Sequence, residues 1–193
     1  SIFLPVLTRI INKSLTTGIF PSILKHTVLN PLIKKRSLNT DELKKYRPVA
    51  NIKFLSKLIE KHVVNNINDH IVKNCLGEEF QSAYCVSHST ETALLKVKSD
   101  IMGMIHNQKG VFLVLLDLSA AFDTGNHNVL FNRLECEIGI TGTALEWFKS
   151  NFSGRTTQVL IDNTYSASHD MLYGLPQGSI VGPKSFTIYT IPI

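Results

Sequence analysis

The sequence predicts a mixed α/β protein, of α/β or α+β type, on three observations. Apolar residues recur at helical spacing over Leu4–Leu15 and again over Phe54–Asn74. Six apolar residues run without interruption from Val111 to Leu116, the pattern of a central strand buried on both faces. Gly and Pro punctuate the stretches between such segments. At 193 residues the chain has the size of one domain or of part of a larger one. Its 44% apolar content excludes disordered and collagen-like classes.

Each element has its own signal. Leu4, Leu7, Ile10, Ile11 and Leu15 share one helix face, and Gly18 with Pro21 ends that helix. Thr27–Ile33 is a short apolar stretch broken by Pro31, which has no N–H for a ladder, so a sheet edge is expected there. Lys34–Lys45 reads as a polar, charged loop. Leu55, Ile59, Val63, Ile67 and Ile71 are spaced by four and form the apolar stripe of a long helix. A further helix is expected to start near Ser89 or Thr90, with Glu91 in its first turn. After the apolar run, a helix covers about Asn128–Ile138. Thr143-Ala-Leu-Glu146 has the spacing of a capping box, and Gly154 stops the helix that follows. Gln158–Ile161 and Met171–Tyr173 read as strands, and Gly174–Gly182 as a turn-rich loop.

Charge is unevenly placed. The net charge is +5, but residues 1–75 hold 13 Lys/Arg against 4 Asp/Glu, whereas residues 76–193 hold 7 against 11. A basic first part attracts polyanions such as nucleic acid, and a more acidic second part can hold carboxylates that bind metal; a solvated basic surface is the other reading. Cys75, Cys85 and Cys136 are odd in number and form no C-x-x-C pair, so they read as buried or incidental thiols of a reducing compartment. No apolar run approaches the ~18–20 residues of a membrane-crossing helix. The charged-then-apolar pattern of a signal peptide is not read here, and with Ser1 rather than Met at its start the sequence is expected to be a piece of a longer chain.

Among possible reactive groups, Asp117 stands out because it closes the Val111–Leu116 run. A carboxylate beside a buried strand needs a hydrogen bond, an ion pair or a metal, and a divalent-ion ligand and a cap of the following turn both remain open. Asp123 reads as a helix-start cap. Ser179 in Gly178-Ser-Ile-Val-Gly182 is one place early for a nucleophile elbow, neither glycine-rich phosphate motif is present, and the seven His include no H-E-x-x-H pair.

Four segments in the same order extend this reading. Tyr46-Arg-Pro-Val-Ala-Asn-Ile52, Phe80-Gln-Ser-Ala-Tyr84 with His88–Leu94, Leu116-Asp-Leu-Ser-Ala-Ala-Phe-Asp-Thr124 and Gly174-Leu-Pro-Gln-Gly-Ser-Ile-Val-Gly-Pro183 resemble successive blocks of the reverse transcriptases of non-LTR (LINE-like) retrotransposons. The resemblance covers nearly the whole chain. It implies a right-hand polymerase, with fingers over about residues 1–105 and a partial palm over about 106–193. It implies that Asp117 coordinates the two catalytic Mg²⁺ ions, with the backbone of Leu118 assisting at the metal-bound triphosphate. Arg47 then approaches the nucleotide phosphates, where a guanidinium suits bidentate contact. Phe122 matches the aromatic gate against a ribose 2′-hydroxyl, and Pro176, Gln177 and Gly178 the loop against incoming nucleotide and template. The expected partners are an RNA template, a DNA primer and deoxynucleoside triphosphates, contacted in part by Lys34, Lys35, Arg36, Lys44 and Lys45, with no membrane partner. The family's life cycle implies cytoplasmic RNA–protein particles and action in the nucleus.

The pattern also departs from the family. Its aromatic-Ala-Asp-Asp hairpin should follow the helix that starts near Pro183, and the sequence stops before it. Asp117 therefore lacks its main partner carboxylates, and the 193 residues alone are expected to be inactive without downstream palm and thumb segments. Cys85 stands where relatives usually carry Arg, and Gly125, Asn126 and Asn128 replace a more charged stretch. A non-catalytic nucleic-acid-binding relic is the alternative reading.

Overall fold

Residues 3–35, 41–117, 122–176 and 178–191 are described by a computed structural model. The first apolar stripe forms α1 (Phe3–Thr17), which turns Ile10, Ile11 and Leu15 toward the core. Gly18 ends it at φ +66°, where a Cβ would come within 2.9 Å of the Thr143 carbonyl oxygen; both the backbone region and the space demand glycine. Two strands follow, β1 (His26–Ile33) and β2 (Tyr46–Asn51), paired antiparallel with Leu29 opposite Ala50 and Pro31 opposite Pro48. Strand β3 (Thr156–Ile161) lies parallel to β1, and β4 (Thr164–Tyr165) and β5 (His169–Asp170) pair antiparallel with β3. The order is β2-β1-β3-β4, with β5 also on β3.

Strand β1 is thus interior and not the edge that Pro31 suggested. Its pairing with β3 stops at Leu29, and on the other side Pro31 faces a second proline. The Lys34 amide donates to the Lys45 carbonyl, so by the alternation of an antiparallel ladder Pro31 and Pro48 form a non-hydrogen-bonded pair, and the missing N–H groups cost no ladder bond between the two strands.

The helices α2 (Phe54–Lys73), α4 (His127–Cys136), α5 (Gly142–Phe152) and α6 (Val181–Thr190) build the core. The stripe spaced by four on α2 buries Ile59, Val63, Ile67 and Ile71 against Leu130, Leu134, Phe148, Val181 and Ile188. Trp147 meets the Phe20 ring edge-on at 5.6 Å, while its indole N–H donates to Ser14 Oγ at 3.1 Å, tying α5 to α1. Helix α3 (Thr90–His106) starts where expected. Ser89 Oγ accepts from the Thr92 amide and Thr92 Oγ1 from the Ser89 amide, a reciprocal cap. None of its residues is buried.

Several expectations are corrected. Val111–Leu116 is not a strand, and its side chains are exposed, Phe112 by 98%. A run of apolar side chains specifies burial only when neighbouring strands and covering layers are supplied, and the five-stranded sheet supplies neither. Met171–Tyr173 is not a strand either; β5 ends at Asp170, and the Met171 amide donates to the Arg155 carbonyl. Helix α5 starts at Gly142 with Thr141 in the cap position, so Thr143–Glu146 lies inside the helix and makes no capping box. Glu146 pairs instead with Lys149. The cap of α4 is Asn126, whose side chain accepts from the Asn128 amide, and not Asp123. Cys75 and Cys136 are exposed and Cys85 half-buried, all three free. Among the described residues no helix is long and apolar enough to cross a membrane.

Ile59 is fully buried at the centre of this packing. Ile59→Ala is expected to lower the unfolding free energy by about 2–5 kcal/mol in urea titration, through lost transfer energy and a residual cavity.

Candidate functional site

Two glycines in the left-handed region draw three of the sequence blocks onto one surface. Gly174 has φ +83°, and a Cβ there would lie 2.8 Å from the carbonyl oxygens of both Phe122 and Asp123. The Leu175 amide donates to the Phe122 carbonyl and the Gly174 amide to the Gly125 carbonyl. Four residues on, Gly178 has φ +85°, and its Cβ would lie 2.9 Å from the Ala50 carbonyl on the edge strand β2. The 174–178 segment therefore leans at one end on the 122–125 turn and at the other on β2. His127 adds a brace: its Nε2–H donates to the Gly174 carbonyl at 2.7 Å, and its ring lies 5.4 Å from that of Phe152.

The candidate side chains are distributed over this surface. Phe122 stacks on Phe186 of α6, with ring centroids 4.9 Å apart. Pro176 is buried, whereas Gly178 is exposed. Arg47 is exposed on β2, three residues before Ala50. Phe122, Asp123 and Asp170 line a cleft of about 380 Å³ beside Gly174. Asp117 is exposed, so the burial argument that singled it out does not apply to it. Leu118, Gln177 and Arg36 lie outside the described residues.

The basic residues gather at the far end of the β1–β2 hairpin. Lys34, Lys35 and Lys44 are exposed, the Lys34 ammonium donates to the Lys44 carbonyl at 2.7 Å, and Lys45 is paired with Glu42 at 2.7 Å. Tyr46, which follows Lys45 at the start of β2, and Ala50 are four residues apart along the strand, about 13 Å. A separate hollow of about 510 Å³, lined by Val63, His70 and Trp147 among others, holds none of the predicted residues.

Residues 33–193 match the reverse transcriptase (RNA-dependent DNA polymerase) family over most of the chain. The chain belongs to that family. Among curated proteins, this reverse transcriptase segment is 26% identical over 184 residues to the probable RNA-directed DNA polymerase from transposon BS of Drosophila melanogaster. It is 26% identical over 186 residues to the RNA-directed DNA polymerase from mobile element jockey of Drosophila funebris. It is 24% identical over 184 residues to the probable RNA-directed DNA polymerase from transposon X-element of Drosophila melanogaster. Each match takes in 95% of this chain but 20% of the relative, so the chain spans about a fifth of the length of these curated relatives. The resemblance of the four blocks to reverse transcriptases of non-LTR elements is borne out.

The family implies Mg²⁺, and the donors present do not complete a site for it. Among the described residues no three His, Cys, Asp or Glu side chains come together as a metal site. A single exposed carboxylate does not hold two divalent cations against their mutual repulsion.

One residue at the heart of this surface carried no signal in the sequence. Glu60 sits on α2 one place after the buried Ile59, outside all four blocks, yet it is fully buried against the loop at 179–181. A charged residue adjoining the apolar stripe of a predicted helix was its only trace.

Gly174→Ala is expected to cost about 1–3 kcal/mol, since the left-handed backbone and two carbonyl oxygens both oppose the methyl group. Gly110→Ala, which meets nothing within 4 Å, is expected to leave stability nearly unchanged. Paired thermal melts check the contrast.

Proposed function

We propose that this chain forms the fingers and the first part of the palm of an RNA-directed DNA polymerase, with the fingers over about residues 1–105. The observation that carries the reading is the meeting of blocks 46–52, 122–124 and 174–183 on one surface through Gly174 and Gly178. Folding alone can bring distant segments together; what favours a nucleotide face here is that the three segments that meet are the ones whose residues match the reverse transcriptase blocks. Arg47, exposed beside this face, presents a planar guanidinium suited to triphosphate oxygens. Phe122 has its ring fixed by stacking on Phe186, and a fixed ring is what steric exclusion of a ribose 2′-hydroxyl requires. Gly178, with no side chain, lets backbone approach a nucleotide closely, and Pro176 and Gln177 flank it. The lysines at the hairpin end supply a sequence-independent grip on template or primer phosphates.

Asp117 supplies one carboxylate of the Mg²⁺ site in this reading, with Leu118 beside it, and the remaining ligands come from outside these 193 residues. The chain alone is then expected to bind nucleic acid without extending a primer.

The test is primer extension on an RNA template by the whole polymerase that carries this chain. Asp117→Asn is expected to lower extension by at least about a hundredfold, the loss of several kcal/mol of charge stabilisation, while template binding stays unchanged because no basic residue is altered. Phe122→Val is expected to admit ribonucleotides. Wild-type extension rates in the Asp117→Asn protein, or extension by the 193 residues alone, would contradict the assignment.

A further inference from the structure

Resting on the polymerase reading, we propose that Glu60 is a positioning residue for the nucleotide-facing loop, clamping residues 179–182 to α2 so that the exposed Gly178 is presented at fixed height. The carboxylate has no exposed surface. Its Oε1 accepts from Ser56 Oγ at 2.9 Å; its Oε2 accepts from Ser179 Oγ and the Ile180 amide, each at 2.7 Å, and from the Val181 amide at 3.4 Å. Ser179 Oγ in turn accepts from the amides of Val181 and Gly182 at 3.2 and 3.1 Å.

The first amides of a helix have no partner within it and carry its positive end. At α6, three successive amides from Ile180 to Gly182 are taken up by one carboxylate and one hydroxyl. Hydrogen bonds to an ionised acceptor are stronger than neutral ones, more so away from water. A lone buried carboxylate would be costly. Here four donors converge on it, and Arg155, 1% exposed, adds a charge of opposite sign. Burial lowers the Arg155 guanidinium below its ordinary pKa, while the Glu60 charge acts in the opposite direction.

The loop is therefore held at three places: Gly174 on the 122–125 turn, Gly178 on β2, and Ser179 with the α6 N-terminus on Glu60. The first combines close packing with backbone hydrogen bonds, the second is a close packing contact, and the third is a side-chain bond network to a different helix. Releasing it frees the end of the loop nearest the proposed nucleotide contacts. Such a change weakens nucleotide binding more than turnover.

The experiment compares wild type, Glu60→Gln and Ser179→Ala by amide hydrogen exchange on this chain, and by steady-state extension with the whole polymerase. The Gln amide retains an acceptor for Ile180 and a donor for Ser56 but loses the charge. Exchange at Ile180, Val181 and Gly182 is expected to rise about tenfold in Glu60→Gln, with α5 unchanged. Ser179→Ala is expected to repeat the rise at Val181 and Gly182, and it keeps the test open if Glu60→Gln does not fold. In extension, KM for the deoxynucleotide is expected to rise about five- to twentyfold with kcat within about twofold. Unchanged exchange at 180–182, an equal rise across α2 and α5, or a fall in kcat at constant KM would overturn the proposal. Absence of extension by the wild type would remove the polymerase reading, and the exchange comparison would still decide the clamp.

Discussion

A carboxylate with no exposed surface joins α2 to the first turn of α6. Glu60 belongs to α2, whose neighbours Ile59 and Val63 form the middle of the core, and it ends on the first turn of α6. Removing a carboxylate from water is repaid only where donors surround it, and each donor here is fixed by another part of the fold. Ser56 lies one helical turn before Glu60, Ser179 follows the loop, and the Ile180 amide opens α6. The network therefore constrains geometry more than it adds stability. It sets where α6 begins and, through that, where Phe186 stands to receive the ring of Phe122.

From that point the surface follows from sterics. Gly174 and Gly178 each bring backbone so near a carbonyl oxygen that a methyl group would collide, and each adopts a backbone region that other residues avoid. The span between them bridges the 122–125 turn and the edge strand β2. Edge strands are open along one side, and here Gly178 covers part of that side at Ala50. The same hairpin carries Lys34, Lys35 and Lys44 at its other end, so one pair of strands links the proposed nucleotide face to a cationic tip.

Much of this was legible in the residues. The stripe spaced by four gave α2 to within one residue, Ser89 marked the start of α3, and Gly18 and Gly154 stopped the helices before them. These signals are local, and local backbone chemistry decides them. The errors fall where a partner decides. Val111–Leu116 has the side chains of a buried strand, and among the described residues no strand lies beside it. Pro31 forbids a donor at one position but does not forbid a neighbouring strand along the residues two to five places earlier, and so β1 became interior. Glu60 was invisible because three of its four donors lie some 120 residues away, and no spacing rule spans that distance. The four blocks named the family but said nothing about Gly174 touching Phe122; that contact exists only in the folded chain.

The central claim is that blocks 46–52, 122–124 and 174–183 form one nucleotide-facing surface. Photo-cross-linking of a photoreactive deoxynucleoside triphosphate to this chain, with the adducts mapped by mass spectrometry, tests it most directly. The account predicts adducts within 46–52 and 174–179, both suppressed by unlabelled deoxynucleotide. Adducts confined to the lysines of the hairpin tip or to α3, with none in those two blocks, would contradict it.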